Sequence, residues 1–381
     1  MLDYLRPLKS GKGIKPRLRA ALLIVASALP ALAAGQVPQV EEALPSELTI
    51  YGRLNDSIER IGVTGRRTIW NLVDNASLLG FRGSRNLGQG LTAFFQVESR
   101  IRLDTGDTFL ASRGSYIGMQ GAYGAGRAGR FAGPVFRRIY EYISLHNNAA
   151  GSSADVLMAG TVTGNQGPPM NNGVWYTSPN FGGLRVETAY ALLNEAPLPG
   201  MPQPRHVGLV ATYDTAPLHI AAARADTRYT SDLGNATPSQ DIAHTIGVLY
   251  RMPRLVVGGL FERAQSRLLR DEAQRSYLRL VAMIPLDRHE LHLNVGRVNH
   301  RLDAKLTDDG AVQWTLAYGY NYNPQTKLYL FYTTVNNQTN GNYGFSTRLP
   351  GIDNKSVALG VRYLFSRPLD MLLPLGGQQN K

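Results

Sequence analysis

From Glu47 onward, apolar and polar residues alternate with a period of two over segment after segment. That alternation marks strands with two unlike faces. Between residues 312 and 322 one face reads Val312, Trp314, Leu316, Tyr318, Tyr320 and Tyr322. The other reads Gln313, Thr315, Ala317, Gly319 and Asn321. Near residue 291, Leu291, Leu293 and Val295 oppose Glu290, His292, Asn294 and Gly296. No comparable 3.6-residue pattern follows residue 34. The pattern predicts strands over 47–57, 76–86, 91–102, 111–120, 124–131, 173–178, 184–192, 205–213, 217–227, 241–251, 254–264, 274–284, 289–299, 311–322, 327–336 and 356–365, sixteen in all.

The connections differ at the two ends. Asn86-Leu-Gly-Gln-Gly90, Ser178-Pro-Asn-Phe-Gly-Gly183, Arg251-Met-Pro-Arg254, Pro285-Leu-Asp-Arg288 and Asn323-Pro-Gln-Thr326 are tight turns. Pro, Asn, Asp and Gly supply the dihedrals such turns need. The opposite connections, such as 230–240 and 336–354, are longer and polar. Short turns at one end and long loops at the other fit an antiparallel transmembrane β-barrel. Only a closed sheet leaves no backbone group unpaired in lipid. Apolar side chains would face out, polar ones in, and sixteen strands would enclose an aqueous lumen. A soluble sandwich seldom needs sixteen long strands. A propeller would show a repeat of about 40–50 residues, and none is visible.

Composition and charge refine this picture. The 381 residues contain no cysteine, 40 Gly and 19 Tyr. Disulfides and thiolate metal sites are excluded. The formal charge is +12, which can signal nucleic acid or an anionic surface. Six basic residues (Arg6, Lys9, Lys12, Lys15, Arg17, Arg19) and one acid precede the apolar run from Ala20 to Leu29. Pro30 and Ala31-Leu-Ala-Ala34 follow. This is a basic, then apolar, then small-residue export signal over 1–33. Its removal leaves +7, and no nucleic-acid partner is expected. A short segment, 34–45, would lead into the barrel over 46–365, with an extension over 366–381.

Several strings resemble the Gram-negative general porins, especially the trimeric sixteen-stranded type of β-proteobacteria and Neisseria. They are Leu48-Thr-Ile-Tyr-Gly52, Leu79-Gly-Phe-Arg-Gly-Ser84, Ala93-Phe-Phe-Gln-Val-Glu-Ser99, Leu103-Asp-Thr-Gly106 and Ser115-Tyr-Ile-Gly-Met119. Trp175-Tyr-Thr-Ser-Pro-Asn-Phe-Gly-Gly183 is the most specific, and Gly360-Val-Arg-Tyr-Leu-Phe365 resembles the closing strand. The resemblance covers about 46–365. It implies passive diffusion of small hydrophilic solutes across the outer membrane. It also implies a homotrimer with one pore per subunit, and a third loop, 132–170, folded inward to narrow the lumen.

Parity assigns the pore charges. A charge facing lipid near the midplane costs about 2–4 kcal/mol, so strand charges should face the lumen. Arg53 alternates with Tyr51 and Asn55, Arg82 opposes Leu79, Phe81 and Gly83, and Glu98 lies with Gln96. The resemblance places Arg130 at the start of the constricting loop. Arg185, Arg279 and Arg362 face in by the same parity. The loop contributes the acids Glu141 and Asp155 and the basic Arg137 and Arg138. Relatives often set acids in this loop opposite the arginines; here that side is thin. The expected pore therefore favours anions.

Other readings fit the residues less well. Gly124-Ala-Gly-Arg-Ala-Gly129 satisfies a dinucleotide fingerprint literally, but no helix pattern follows. An outer-membrane hydrolase, phospholipase-like, could use His292 with Asn294; the chain lacks G-x-S-x-G and a zinc-protease spacing. Asp308-Asp-Gly310 reads as a turn rather than a calcium loop. A binding or adhesion barrel with a plugged pore is the remaining alternative. No cofactor, metal or catalytic residue is expected. Two features stand apart from the family: the residues after Phe365, and a fifth strand, 124–131, rich in glycine.

Overall fold

The structure is a computed structural model. It describes residues 48–145, 156–157, 170–193, 203–231, 237–268, 271–301, 308–345 and 348–368. The export signal, the segment 34–45, Asp155 and residues 369–381 lie outside the described residues.

The strands are β1 Thr49–Val63, β2 Ile69–Asp74, β3 Leu78–Gly88, β4 Leu91–Ile101, β5 Thr108–Phe109, β6 Ser115–Gly121, β7 Gly124–Phe131, β8 Met170–Thr177 and β9 Leu184–Leu192. They continue as β10 Arg205–Thr215, β11 Leu218–Ser231, β12 Thr237–Met252, β13 Leu255–Leu268, β14 Asp271–Leu286, β15 His289–Arg301, β16 Ala311–Asn321, β17 Thr326–Asn337 and β18 Asn354–Pro368. Each pairs antiparallel with its neighbours, and β18 pairs with β1 along its whole length, closing the sheet. β2 and β3 both pair with β1, one above the other. β5 and β6 both pair with β4 in the same way. Each of these pairs is a single barrel stave broken in the middle, so the eighteen strands make a sixteen-stave antiparallel barrel.

All sixteen expected strands are present. Several run further than their alternation extends, as in β1 to Val63 and β12 from Thr237. The closing strand continues past Phe365 to Pro368, opposite Thr49. The glycine-rich β7 is a full stave, bonded to β6 and β8. Its glycines admit close backbone approach: Gly129 has φ 142°, and a Cβ there would lie 2.8 Å from Tyr116 Cα.

The outward face matches the parity argument. Leu280, Leu359 and Leu209 are 55%, 63% and 49% exposed, while their chain neighbours are buried or partly so. Inward residues do not all follow the polar rule. On β10 to β14 part of the inner face is small or apolar: Val210, Ala221, Ala225, Ala243, Leu260 and Ala264 are buried. The reason is a second layer. After β7 the chain forms short helical turns, Phe136–Tyr140 and Glu141–Ile143. Val135, Ile139, Ile143, Leu145 and Leu157 join those strand residues in one apolar cluster. Gly247 leaves room for it, since a Cβ there would lie 2.8 Å from Ile139 Cγ2.

Two outcomes follow. Leu280→Arg places a charge on the outward face of β14 and should lower folding stability in lipid vesicles by about 2–4 kcal/mol, read as a reduced urea midpoint; Thr315→Arg, on the inner face, should not incur that lipid penalty. Gly247→Val overpacks the apolar cluster and should cost about 1–3 kcal/mol, read as a lower thermal midpoint together with faster tryptic cleavage at Arg137 and Arg138.

Candidate functional site: the charged inner wall

The broken stave β2–β3 is held by side chains. Ala76 adopts φ 63° between the two strands. Asn55 N donates to Ser77 Oγ at 2.9 Å, Ser77 N donates to Asp74 Oδ1 at 3.1 Å, and Asn75 N donates to Asn55 O at 2.7 Å. The break frees the Ala76 carbonyl, which accepts from Arg53 Nε at 3.2 Å and Nη2 at 2.7 Å. Arg53 is thus fixed by a neutral backbone group. Arg113, Glu141, Glu98 and Arg362 are the charged groups around it.

The second break, between β5 and β6, repeats this arrangement. Ala111 has φ 56°. Arg100 N donates to Ser112 Oγ at 2.9 Å and Ala111 N to Ser99 Oγ at 3.0 Å. The Ser112 carbonyl accepts from Arg130 Nε at 3.0 Å, while Arg130 Nη1 donates to Asn171 Oδ1. Arg130 is again held by neutral acceptors.

Glu98 is buried on the inner face, as parity requires. It accepts from Tyr51 OH at 3.1 Å and from Arg113 Nε at 2.6 Å. Arg82 lies over the Tyr51 ring, 4.7 Å from its centroid. Glu141 pairs with Arg137 at 3.6 Å, one helical turn apart. Burial opposes the Arg137 charge, but Glu141 and Glu98 outweigh it and raise its pKa. The structure therefore brings together Arg53, Arg82, Glu98, Arg130 and Glu141; Asp155 lies outside the described residues. Arg113 joins them without having been expected. Counting alternation through 111–120 points it outward, and only the break turns it onto Glu98.

Past Arg137 the chain is pinned to the opposite wall. Arg138 Nε donates to Glu187 Oε1 at 2.6 Å, and Trp175 Nε1 donates to Glu187 Oε2 at 3.0 Å. His219 faces the Arg138 carbonyl at 3.0 Å and Asp214 Oδ1 at 2.5 Å. Tyr140 OH donates to Glu262, which also pairs with Arg275 at 3.4 Å. Burial first, then Glu262, raises the Tyr140 pKa well above the ordinary phenol value, so the proton stays on Tyr140. Arg279 Nη2 donates to Ser144 Oγ at 3.0 Å, and Arg275 Nη2 to the Leu157 carbonyl at 2.7 Å.

The remaining inward charges belong to the wall itself. Arg185 and Arg362 lie on the inner face. Arg127 stacks on Trp175, 4.2 Å from the ring centroid. His292 is bonded to Glu290 at 3.0 Å, and Glu290 also takes Lys327 at 2.6 Å. Gly124 to Gly129 lie in β7, not at a helix start. Asp308 sits at φ 61° before Gly310. Among the described residues no cluster of acidic, His or Cys side chains could hold a metal ion.

Known proteins share this architecture. The family model described as Gram-negative porin matches residues 20–340. The chain is 28% identical over 337 residues to outer membrane porin protein 32 of Delftia acidovorans, covering 81% of this chain and 88% of that one. It is 30% identical over 162 residues to major outer membrane protein P.IB of Neisseria meningitidis, covering 40% of this chain and 46% of the relative. The solved structure of an anion-selective porin from Comamonas acidovorans superposes with a TM-score of 0.74 at 24% identity, over 84% of this chain and 99% of that one. A closed sixteen-stave barrel, lined with charge and dressed with apolar side chains, has this ancestry: the chain belongs to the Gram-negative porin family and is an outer-membrane β-barrel.

Proposed function

We propose that this porin is an anion-leaning diffusion channel for small hydrophilic solutes. The segment 132–170 would narrow the lumen, and the functional unit would be a homotrimer exported by a cleaved signal over 1–33. The observation that carries the selectivity is the balance of charge on the inner wall. Each acid of the cluster already has an arginine: Glu98 has Arg113 and Glu141 has Arg137. Arg53 and Arg130 are held instead by the carbonyls of Ala76 and Ser112. Their charge is oriented without being cancelled. Low-dielectric walls focus such a field into the lumen. The similarity to the Comamonas porin, which is described as anion-selective, supports the same reading. Supporting the constriction, the segment carrying Arg137 and Glu141 is bonded to inward residues of strands on the far side, Glu187, Glu262 and Arg279.

In a planar bilayer under a salt gradient, the reversal potential should show anion preference, fading as ionic strength shortens the Debye length; cation preference would overturn the reading. A single charge about 5 Å from the path is worth about 1 kcal/mol in water-like screening. Arg53→Gln and Arg130→Gln should therefore each reduce the anion-to-cation permeability ratio by up to about fivefold, and Glu98→Gln should raise it. Single insertions should conduct in three equal steps; one step per insertion would remove the trimer.

A further inference from the structure

Among the described residues, three arginines are buried: Arg275, Arg279 and Arg362. The first two are bonded, Arg275 to Glu262 and the Leu157 carbonyl, Arg279 to Asn294 and Ser144. Arg362 is 7% exposed, and its Nε is enclosed without a hydrogen-bond partner among the described residues. No hydrogen bond joins any other part of its guanidinium to a described residue.

Its neighbours explain why. Arg362 lies opposite Lys327 on β17 and opposite Asn55 on β1. Asn55 is already engaged: its Oδ1 accepts from Tyr329 OH at 2.9 Å, and its Nδ2 donates to the Asn75 carbonyl at 3.2 Å. Glu290 is the acid of this cluster, and both of its oxygens are taken. Oε2 accepts from Lys327 Nζ at 2.6 Å and faces His292 Nε2 at 3.0 Å. Oε1 accepts from Asn321 Nδ2 at 2.7 Å. Two cations directly opposite one another thus share one acid, and that acid serves Lys327. Like charges so placed destabilise a sheet, and a buried charge without a partner is costly. Arg53 adds further positive charge nearby.

What offsets this excess must come from the lumen, which the inner face borders. Lys327 and Glu290 each stand next to a short turn, after Asn321 and after Leu286, so the cluster lies toward the short-turn end of the barrel. A guanidinium offers paired donors to two oxygens carried on one atom. Carboxylate and phosphate present such a pair; chloride does not. We propose that Arg362, beside Lys327, is a discrete docking site for a small oxyanion. As a stop on a diffusion path the site rests on the open-channel reading. It does not rest on the ion preference, since a diffuse field can favour anions with no saturable site.

Conductance and diffraction of the full-length protein test it. In a planar bilayer bathed in potassium chloride, inorganic phosphate should lower the single-channel current saturably. Arg362→Gln should raise the half-effect concentration about tenfold. Arg362→Lys should raise it less than Arg362→Gln, because an ammonium keeps the charge but not the paired donors. Arg130→Gln, which alters the wall elsewhere, should shift it less than Arg362→Gln does. An unchanged half-effect concentration in Arg362→Gln, or a larger rise in Arg130→Gln, would overturn the site. In crystals soaked with sodium selenate, anomalous density should lie within hydrogen-bond reach of the Arg362 Nη atoms; density at Arg53 and Arg130 alone would overturn it. Equal occupancy of that position by bromide at the same concentration would overturn the oxyanion as its occupant. Selenate at Arg362 in a barrel that carries no current would refute the channel and support the site. Should Arg362→Gln fail to fold, the two soaks of wild type decide.

Discussion

One constraint governs this molecule: in hydrocarbon, every backbone N–H and C=O must find a partner within the protein. The pairing of β18 with β1 satisfies it for the sheet as a whole. The two broken staves show how strictly it acts locally. Where β2 gives way to β3, and β5 to β6, the ladder is interrupted, and Ser77, Asp74, Ser99 and Ser112 side chains take up exposed backbone amides. The leftover carbonyls of Ala76 and Ser112 are taken by Arg53 and Arg130. The same arginines therefore repair the wall and supply its charge. A glutamine could satisfy a carbonyl too, so their charge is a separate property, available to the pore.

The inner surface is divided by what it touches. Around β1 to β7 it is charged: Arg53, Arg82, Glu98, Arg113 and Arg130 are gathered there. Around β10 to β14 it carries small and apolar residues among its polar ones, where the segment after β7 packs against it. Alanine and glycine at 221, 225, 243, 247 and 264 make space that larger residues would fill. Polar anchors at Glu187, Glu262, Arg275 and Arg279 then fix the segment: Glu187 pairs with Arg138, Glu262 with Arg275, and Arg279 bonds Ser144. Breaking one partner of such a buried pair costs far more than forming it gains, which makes these anchors stiff positioning devices.

The alternation of side chains determined the number of staves, their order and which face meets lipid, because a strand's two faces follow from pleat geometry alone. It also placed Arg53, Arg82 and Glu98 correctly inside. It could not show that two staves break, since three to five irregular residues leave the hydropathy pattern nearly intact. Arg113 escapes it for that reason: its direction depends on a turn, not on parity. Nor could it show that part of the inner face of β10 to β14 serves an apolar contact, because Ala and Gly there read as neutral until a second layer is seen against them. Which arginines are held by carbonyls rather than by carboxylates was likewise decided only in three dimensions. Ion pairing depends on contacts between residues far apart along the chain, as for Arg138 and Glu187, 49 positions apart, and local pattern is blind to such distances.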